Sequence, residues 1–399
     1  MVITIGHYND LLYICNIKEC INFWNMYLRT LENIVKEKIG SGKAIVIVGA
    51  RQVGKTTLIK KILSQKKFLF LDADDPTVRT LLTNPNTEQI RVLLGKNDTV
   101  FIDEAQRINN IGITLKIITD QFNDVQLFVS GSSSFDLGNK LNEPLTGRKW
   151  EYELFPISWE EYEKKIGFLT AEQQIENRLL YGFYPEVLNN PGNEKEILKN
   201  LVNSYLYRDI LAFSEIRKPG VLEKLLQALA LQMGSEVNYN ELAQTVGINK
   251  VTVQKYIEIL EKGFIVFRLK SFNRNLRSEI KRNKKVYFFD NGVRNTIIGN
   301  FSPLNLRTDK GALWENFLVS ERLKQNSYKQ TFAQIFFWRT KQQQEIDFVE
   351  EKNGEVTGYE FKWSAKRKLR LPKIFRKTYN SKIEVIDRVN FRDFVIIKN

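Results

Sequence analysis

Short, unbroken apolar runs recur in the first third of the chain and predict the strands of a buried sheet. Residues 44–48 (AIVIV), 99–103 (TVFID) and 125–129 (VQLFV) are almost wholly apolar, a pattern typical of parallel strands covered on both faces. The segment TLIKKILSQ at 57–65 instead places its apolar residues at helical spacing. Strands that alternate with helices in this way predict an α/β fold with a parallel sheet.

The middle of the chain has helical rather than strand periodicity. Residues 155–215 form short segments with acidic and aromatic faces, and Pro156, Pro185 and Pro191 divide them. The stretch VLEKLLQALALQMG at 221–234 continues the helical spacing. We therefore expect a set of short helices after the parallel sheet.

A helix-turn-helix is predicted next. NELAQTV at 240–246 is a short helix, Gly247 permits a tight turn, and Asn249 can cap a second helix that runs to about Lys262. The following run FIVFRLKSF is a strand, so the unit has the order of a helix-turn-helix with a wing. Its expected small core consists of Ala243, Val246, Val251, Val253 and Ile257.

The carboxy-terminal third is predicted to begin with a helix, KGALWENFLVSERLKQ, and to continue with the strands QIFFWRT, EIDFVEEK and EVTGYEFKW. The pair Asn353-Gly354 favours a two-residue turn between the last two strands, so residues whose numbers sum to 707 face each other. Asp347 then lies opposite Glu360. Like charges that face each other across a sheet repel, and this arrangement therefore needs a reason.

A glycine-rich loop joins the first predicted strand to its helix. Gly49-x-x-x-x-Gly54-Lys55-Thr56 is the P-loop pattern in the strand–loop–helix context that it requires. Its backbone N–H groups and the helix N-terminus are expected to face the phosphates of ATP. Lys55 is expected to reach the β- and γ-phosphates, and Thr56 to ligate Mg²⁺. The predicted nucleotide-binding residues are Gly49, Ala50, Arg51, Gln52, Val53, Gly54, Lys55, Thr56 and Thr57.

Polar residues end the next two apolar strands. Asp103 and Glu104 follow the second run, and the carboxyl ends of parallel strands line the ligand crevice of such folds. We expect Asp103 to hold Mg²⁺ through water and Glu104 to polarise the attacking water. Ser130 or Ser132, at the end of the third run, is a candidate for orienting that water; a polar loop without such a role is the alternative.

Composition narrows the chemistry further. Of the 399 residues, 43% are apolar and 27% charged, as in a globular protein. No apolar run is long enough to cross a bilayer, and the N-terminus lacks the segments of a signal peptide, so a cytoplasmic location without membrane contact is expected. Cys15, Cys20 and the single histidine, His7, form no zinc or disulfide pattern. Carboxylates are therefore the expected ligands of any metal, which suits Mg²⁺.

The net charge of +14 is concentrated at one end of the chain. Residues 262–399 hold 30 Lys and Arg against 14 Asp and Glu, and this excess favours a polyanion such as DNA as a partner. The wing side, 262–285, has nine basic residues and one acid and is expected to contact phosphates. A protein-interaction module is the alternative. The residues expected to enter a DNA groove are Lys250, Thr252, Gln254 and Lys255.

Several of these segments together resemble a known family. GARQVGKTTL, FIDEAQ, VSGSSS, LTGRKWEYELFPISWEEY and LLYGFYPEVL look like bacterial and archaeal AAA+ ATPases that carry a conserved C-terminal domain of unknown function, and are similar to the archaeal ATPase clade with restriction-endonuclease-like tails. The resemblance runs from about residue 26 to 390. It implies a five-stranded parallel core with Walker A, Walker B and sensor 1 at the positions above. It also implies Arg148 as an arginine finger, which would need a homo-oligomer if it acts in trans; an ordinary surface arginine is the alternative. The resemblance further places Arg208 near the nucleotide, and a structural ion pair is the alternative there.

The carboxy-terminal pattern of a helix, three strands and Asp…Glu-x-Lys resembles the core of restriction-endonuclease-like folds. The resemblance implies that Asp347 and Glu360 share an Mg²⁺ ion, which would turn their repulsion into joint coordination. Lys362 would orient or activate water, and Glu315 on the helix would supply a further acid. The alternatives are a plain ion pair between Glu345 and Lys362, a longer turn that breaks the register, and an inactive binding module.

These observations predict an α/β chain with a P-loop AAA+ parallel-sheet core, a helical lid, a winged helix-turn-helix and a C-terminal α/β restriction-endonuclease-like domain. The predicted function is Mg²⁺-dependent ATP hydrolysis with association to DNA. A nucleotide-gated regulator and an ATP-controlled DNA nuclease are the alternatives. The expected division is 1–32 for an N-terminal extension and leading helix, 33–154 for the core, 155–220 for the lid, 221–299 for the winged helix and 300–399 for the last domain.

Overall fold

Five parallel strands form one sheet in the order β2-β3-β4-β1-β5. The computed structural model describes residues 26–132, 144–204, 219–273, 284–364 and 371–396. Arg208, His7, Cys15 and Cys20 lie outside these ranges, as do parts of the wing and of the cationic segment at 366–377. The strands are β1 (Ala44–Val48), β2 (Leu69–Asp72), β3 (Thr99–Asp103), β4 (Gln126–Gly131) and β5 (Lys149–Glu153).

Helices cover this sheet, and the strands are apolar for that reason. Every residue of β1 and of β3 is buried, as expected for parallel strands with both faces covered. The predicted parallel five-stranded core is therefore confirmed. The helices of this part are α1 (Thr30–Lys36), α2 (Lys55–Ile62), α3 (Pro76–Leu82), α4 (Thr87–Leu94) and α5 (Ile111–Gln121).

Four helices follow the parallel sheet, in agreement with the helical periodicity of this segment. Ser158 and Glu161 form a capping box at the start of the first helix, and Pro185 occupies the first turn of the third. Trp159 is buried and packs edge-to-face against Phe317 and Phe391, which come from the last third of the chain. The helices are α6 (Trp159–Ile166), α7 (Phe168–Tyr181), α8 (Pro185–Asn189) and α9 (Glu194–Val202).

The described residues between 219 and 288 form three helices and three strands, within the segment predicted to contain the helix-turn-helix. The elements are α10 (Pro219–Leu231), β6 (Glu236–Val237), α11 (Tyr239–Val246), α12 (Lys250–Lys262), β7 (Val266–Ser271) and β8 (Lys284–Phe288). Gly247 has a positive φ of 73° between α11 and α12, and the Asn249 side chain accepts the Thr252 N–H at 2.8 Å. The expectation that Val251 belongs to the core is wrong. Its side chain is 73% exposed, because it lies on the outer face of the first turn of α12.

The last part of the chain consists of a long helix and four strands with further helices. The elements are α13 (Asn291–Ile297), α14 (Lys310–Tyr328), β9 (Gln334–Arg339), β10 (Glu345–Lys352), β11 (Glu355–Phe361), α15 (Lys373–Tyr379), β12 (Lys382–Ile386) and α16 (Phe391–Val395). Strands β9, β10 and β11 are antiparallel, and β12 pairs parallel to β11. Asn353 and Gly354 both have positive φ, as a two-residue type I′ turn requires.

The hairpin register is the predicted one over the whole paired length of β10 and β11. Lys352 pairs with Glu355, and the ladder continues to Phe348 and Tyr359. Beyond it, β10 bulges on its β9 side between Ile346 and Val349. The predicted facing of Asp347 with Glu360 and of Glu345 with Lys362 lies beyond the last pair of this ladder and stays a prediction. Glu345 also pairs with Arg339 of β9, and the Lys362 N–H bonds to the Ile386 carbonyl of β12.

One seven-stranded sheet joins the helix-turn-helix segment to the last part of the chain. Its order is β12-β11-β10-β9-β7-β8-β6, and the junction is the parallel pairing of β7 with β9 at Lys270–Phe336 and Ser271–Phe337. The expected division at residue 300 thus falls between strands of one sheet. In the described part of the chain, no helix has both the length and the apolar character needed to cross a membrane.

Candidate functional site

The glycine-rich loop lies at the carboxyl end of β1, where close packing and helix geometry demand glycine. A Cβ atom at Gly49 would lie 2.1 Å from the carbonyl oxygen of Leu154, so no other residue fits without a backbone shift. Gly54 has a φ of 96° and directly precedes the first residue of α2, a conformation that side chains disfavour. The two glycines therefore shape the loop that leads into the α2 N-terminus.

The Lys55 ammonium bonds to backbone carbonyls of this loop. Its Nζ donates to the carbonyl oxygens of Gly49 at 3.0 Å and Ala50 at 2.8 Å, and the residue is 4% exposed. A buried ammonium held by loop carbonyls lies where the negative charge of a phosphate would be stabilised. The loop and Lys55 thus form a site for an anion.

Asp103 is the centre of a hydrogen-bond network beside the loop. One of its carboxylate oxygens accepts the Thr56 hydroxyl at 2.7 Å, and the other accepts the Ser130 hydroxyl and the Glu104 N–H. The network forms because β3 lies next to β4 and both end at the same edge of the sheet. Thr56 and Asp103 supply the hard oxygen donors that Mg²⁺ prefers, so these residues fit that ion.

Glu104 adopts a backbone conformation that is uncommon for a residue with a side chain. Its φ is 51°, in the left-handed region, and such strain tends to occur at functional positions. The amide Nε2 of Gln106 donates to the Glu104 carboxylate and, at 2.8 Å, to the hydroxyl of Ser132. Gln106 was not predicted as a site residue, although it belongs to the segment FIDEAQ. The geometry therefore holds Glu104 in place at the edge of the site.

A cavity of about 760 Å³ opens beside the loop. Of the predicted nucleotide-binding residues, 51–57 line it together with Glu104, whereas Gly49 and Ala50 do not. The rest of the cavity lining was not predicted, because it comes from segments distant in sequence from the loop. Its residues include Tyr27, Arg29, Ile157, Pro185, Glu186, Asn189 and Asn190.

Arg148 lies away from this cavity. Its carbonyl oxygen accepts the N–H of Ala44, the first residue of β1, so it sits at the opposite edge of the sheet from Gly49. Its guanidinium pairs with Asp120. The expectation of Arg148 as a catalytic residue is therefore wrong for nucleotide bound to the same chain.

A second group of charged side chains forms where α14 meets β10 and β11. The Lys362 ammonium lies 2.7 Å from Glu360 and 3.9 Å from Asp347, whose other contact is the Phe361 N–H at 2.8 Å. Glu315, on α14, adds a further carboxylate that interacts electrostatically with Asp347. The four residues predicted for this centre are thus brought together.

Lys285 and Tyr287 of β8 belong to the same cluster and were not predicted as part of it. The Lys285 ammonium lies 2.6 Å from Glu345 and 3.1 Å from Glu315, and the Tyr287 hydroxyl donates to Glu315 at 2.6 Å. Lys285 is 2% exposed, so its predicted contact with phosphates is wrong. No local pattern could reveal this, because the pairing of β7 with β9 brings β8 to the cluster.

Burial and electrostatic repulsion both raise the pKa values of carboxylates in this cluster. Burial raises the pKa of Glu315 to about 7; the Lys285 ammonium opposes this rise and Asp347 adds to it. Burial also raises the pKa of Asp347 and of Glu360, with Asp347 adding to the rise at Glu360. Among the described residues, no three His, Cys, Asp or Glu side chains converge as metal ligands. Asp347 and Glu360 as joint ligands of Mg²⁺ therefore stay a prediction.

The residues predicted to contact DNA differ in their solvent exposure and hydrogen bonding. Lys250 and Lys255 are exposed on α12, whereas the Thr252 hydroxyl bonds to the capping Asn249 at 3.0 Å. Gln254 is half-buried. Among the basic residues of 262–285, the prediction that Arg268 contacts phosphates is wrong, because its guanidinium is paired with Glu261. Of the four residues predicted to enter a DNA groove, Lys250 and Lys255 are thus the exposed cations of α12.

Comparison with known proteins divides the chain into three matched regions. Residues 41–163 match a family described as an AAA domain, residues 172–304 match a domain of unknown function (DUF8612), and residues 310–395 match a domain of unknown function (DUF4143). The chain therefore contains an AAA-type P-loop ATPase domain, and the predicted conserved C-terminal domain of unknown function is confirmed.

Relatives and a solved structure cover most of the chain. An uncharacterized protein of Mycobacterium tuberculosis is 26% identical over 323 residues, which is 80% of this chain and 70% of that protein. An uncharacterized protein of Methanocaldococcus jannaschii is 23% identical over 345 residues, 80% of this chain and 75% of the other. A Walker-type ATPase of Pyrococcus abyssi superposes with a TM-score of 0.50 at 16% identity, over 68% of this chain and 96% of that one. The last similarity supports the ATPase fold.

Substitution of Glu315 by Gln is expected to change how stability depends on pH. The carboxyl pKa is about 7 in the folded protein against 4.5 ordinarily, so the folded state holds the extra proton and ionisation at higher pH penalises folding. The wild type should therefore lose stability relative to Glu315→Gln as pH rises from about 5 to above 7. Urea unfolding at stepped pH measures this difference. Exposed Glu384→Gln is the control, and wild-type and Glu315→Gln curves that stay parallel contradict the expectation.

Proposed function

We propose that the protein is an Mg²⁺-dependent ATPase that couples nucleotide turnover to engagement of DNA. The observation that carries the proposal is the Asp103 carboxylate, which accepts the Thr56 and Ser130 hydroxyls at the edge of the sheet where the P-loop lies. Oxygen donors beside a phosphate-binding loop are what an Mg²⁺·ATP complex requires. ATP, Mg²⁺ and a cytoplasmic location belong to this proposal.

Each residue of the site has a defined task. Lys55 leaves the loop carbonyls for the β- and γ-phosphates, and the backbone N–H groups of the loop orient the triphosphate. Thr56 and Asp103 would hold Mg²⁺, and the bound ion would supply positive charge beside the phosphates. Glu104 accepts a proton from the attacking water. Ser132 helps to orient that water.

Gln106 sets the resting state of Glu104. Because its amide donates to the Glu104 carboxylate, part of the lone-pair capacity of that carboxylate is used before nucleotide binds. Release of this bond makes the carboxylate available to the water. Nucleotide binding that draws Gln106 toward Ser132, already 2.8 Å away, would provide that release.

The arginine finger is expected from a second copy of the chain. Arg148 lies at the opposite edge of the sheet from Gly49, so only a neighbouring subunit can bring it to this nucleotide. A homo-oligomer in which one chain presents this edge to the P-loop of the next satisfies that requirement.

DNA engagement is supported by charge and by the order of elements. The helices α10, α11 and α12 with strands β6, β7 and β8 follow the order of a winged helix. Lys250 and Lys255 are exposed on α12, and residues 262–399 carry the excess positive charge of the chain. A nucleotide-gated regulator that only binds ATP is the alternative within this proposal.

A second candidate function is hydrolysis of a phosphodiester by the carboxy-terminal centre. Helix α14, the antiparallel strands β9, β10 and β11 and the parallel strand β12 follow the order of a restriction-endonuclease-like core. The observation that favours activity is the convergence of Glu315, Asp347, Glu360 and Lys362. Asp347 and Glu360 would hold one divalent cation, and Lys362 would orient water.

Substitution of Glu104 by Gln tests the ATPase. Removal of the proton acceptor should lower the steady-state turnover of ATP by about 10²-fold or more, with nucleotide binding retained. Phosphate release and equilibrium binding of Mg²⁺·ATP measure the two effects. Glu88→Gln, on the exposed side of α4, is the matched control. Equal turnover in the wild type and Glu104→Gln would exclude Glu104 as the base.

The double substitution of Lys250 and Lys255 by Ala tests DNA contact. Each lysine that neutralises a phosphate contributes about 0.9 to the slope of log affinity against log salt, so the slope should fall by about 2. Fluorescence anisotropy of labelled duplex DNA over a salt series measures it. Lys66 and Lys67, also exposed, form the control pair. A flat slope in the wild type would argue against phosphate contacts altogether.

Substitution of Asp347 by Asn tests the second candidate function. Wild-type protein should nick supercoiled plasmid with Mg²⁺ or Mn²⁺, and Asp347→Asn should not, because a shared ligand of the cation is lost. Exposed Glu384→Gln should cut as the wild type does. No cleavage by the wild type with or without ATP would leave the centre as a structural or binding element.

A further inference from the structure

Arg29 joins four separate parts of the chain at one buried point. Its guanidinium donates to the carbonyl oxygens of Val53 at 2.7 Å and Phe155 at 2.6 Å, to the Glu161 carboxylate at 3.1 Å and to the Tyr328 hydroxyl at 3.3 Å. The residue is 8% exposed. A planar guanidinium presents its donors in a fixed geometry, so these four partners are held in a defined arrangement.

The contact with Val53 acts on the phosphate-binding loop itself. The carbonyl of Val53 and the N–H of Gly54 belong to one planar peptide group, so fixing the carbonyl also fixes the direction of that N–H. Backbone N–H groups of this loop are the ones that face phosphate oxygens. Arg29 and Val53 also line the cavity beside the loop.

The contact with Tyr328 brings in the carboxy-terminal domain. Tyr328 is the last residue of α14, and its hydroxyl also accepts the Phe155 N–H at 3.2 Å. Glu315 lies 13 positions earlier on the same helix, a separation of roughly 20 Å at 1.5 Å per residue. One continuous helix therefore runs from the P-loop to the carboxy-terminal carboxylates.

A second pair of buried charges fixes α14 against the ATPase domain. Glu321 accepts the Trp159 N–H at 2.6 Å, Lys324 donates to the Ile157 carbonyl at 3.2 Å, and the two side chains pair at 2.6 Å. Buried ion pairs add little net stability, but loss of one partner is costly. A shift of α14 along the ATPase domain would therefore disturb both this pair and the Arg29 contacts.

We propose that Arg29 is a positioning residue of the nucleotide site and that Tyr328 makes its position depend on the docking of the carboxy-terminal domain. The inference rests on the proposed binding of ATP at the P-loop. Because coupling between two equilibria is reciprocal, Mg²⁺·ATP then tightens the docking of α14 to the same degree as docked α14 favours Mg²⁺·ATP.

Tyr328→Phe removes only the hydroxyl and so tests the coupling. It should weaken Mg²⁺·ATP binding by about three- to tenfold, the range expected for one lost hydrogen bond, and should leave the turnover at saturating ATP unchanged. Arg29→Lys should weaken binding more, because an ammonium cannot replace the fork of donors. Hydrogen exchange of α14 should slow when Mg²⁺·ATP binds to the wild type and should not in Tyr328→Phe.

The chain offers a matched control. Tyr239 also accepts a hydrogen bond, at 3.1 Å, from a half-buried arginine, Arg268, that is paired with a glutamate, Glu261. Tyr239→Phe therefore removes the same kind of contact away from the P-loop. It should leave Mg²⁺·ATP affinity unchanged, whatever it does to stability.

Two results overturn the inference, and they differ. If the wild type binds Mg²⁺·ATP and Tyr328→Phe binds it within twofold, as Tyr239→Phe does, Arg29 and Tyr328 are structural only. If the wild type binds no Mg²⁺·ATP by calorimetry, the proposed ATPase function fails, and the inference fails with it. Weakened binding in Tyr328→Phe with unchanged binding in Tyr239→Phe supports the positioning role.

Discussion

A buried guanidinium that must satisfy its donors constrains most of the described structure. Arg29 cannot keep its charge away from water unless Glu161 lies beside it and backbone carbonyls accept its remaining donors. Those partners come from the P-loop, from the segment after β5, from α6 and, through Tyr328, from α14. The leading helix, the ATPase domain and the carboxy-terminal domain therefore meet at one point whose geometry is set by hydrogen-bond direction.

The carboxylate of Asp103 and the carboxylates around Glu315 have different surroundings. Around Asp103, hydroxyl and N–H donors bond to a single carboxylate, so a bound cation would replace hydrogen bonds that are already formed. Around Glu315, several carboxylates share Lys285 and Lys362, and burial raises the pKa of Glu315 to about 7. The ammonium of Lys285 on β8 pairs with Glu315 and Glu345, so the charge balance of the carboxy-terminal centre depends on that neighbouring strand.

Local patterns in the sequence were sufficient for several of the elements and for the P-loop. The apolar runs of β1 and β3, the glycines of the loop and the Asn353-Gly354 turn each depend on neighbouring residues, and each formed as expected. What depended on tertiary contact was missed. Arg29 and Lys285 are ordinary charged residues in the sequence and become central only when distant strands and helices meet. The position of Arg148, away from the nucleotide site of its own chain, was missed for the same reason, because no local signal tells at which edge of a sheet a strand begins.

The structure of the complex with Mg²⁺ and a non-hydrolysable ATP analogue tests the account most directly. We expect the triphosphate along residues 49–56, Mg²⁺ between the Thr56 hydroxyl and the Asp103 carboxylate, and Lys55 on the β- and γ-phosphates instead of the Gly49 and Ala50 carbonyls. Arg29 should remain bonded to Val53 and Tyr328. A nucleotide bound elsewhere, or Lys55 still on the loop carbonyls with nucleotide present, would contradict it.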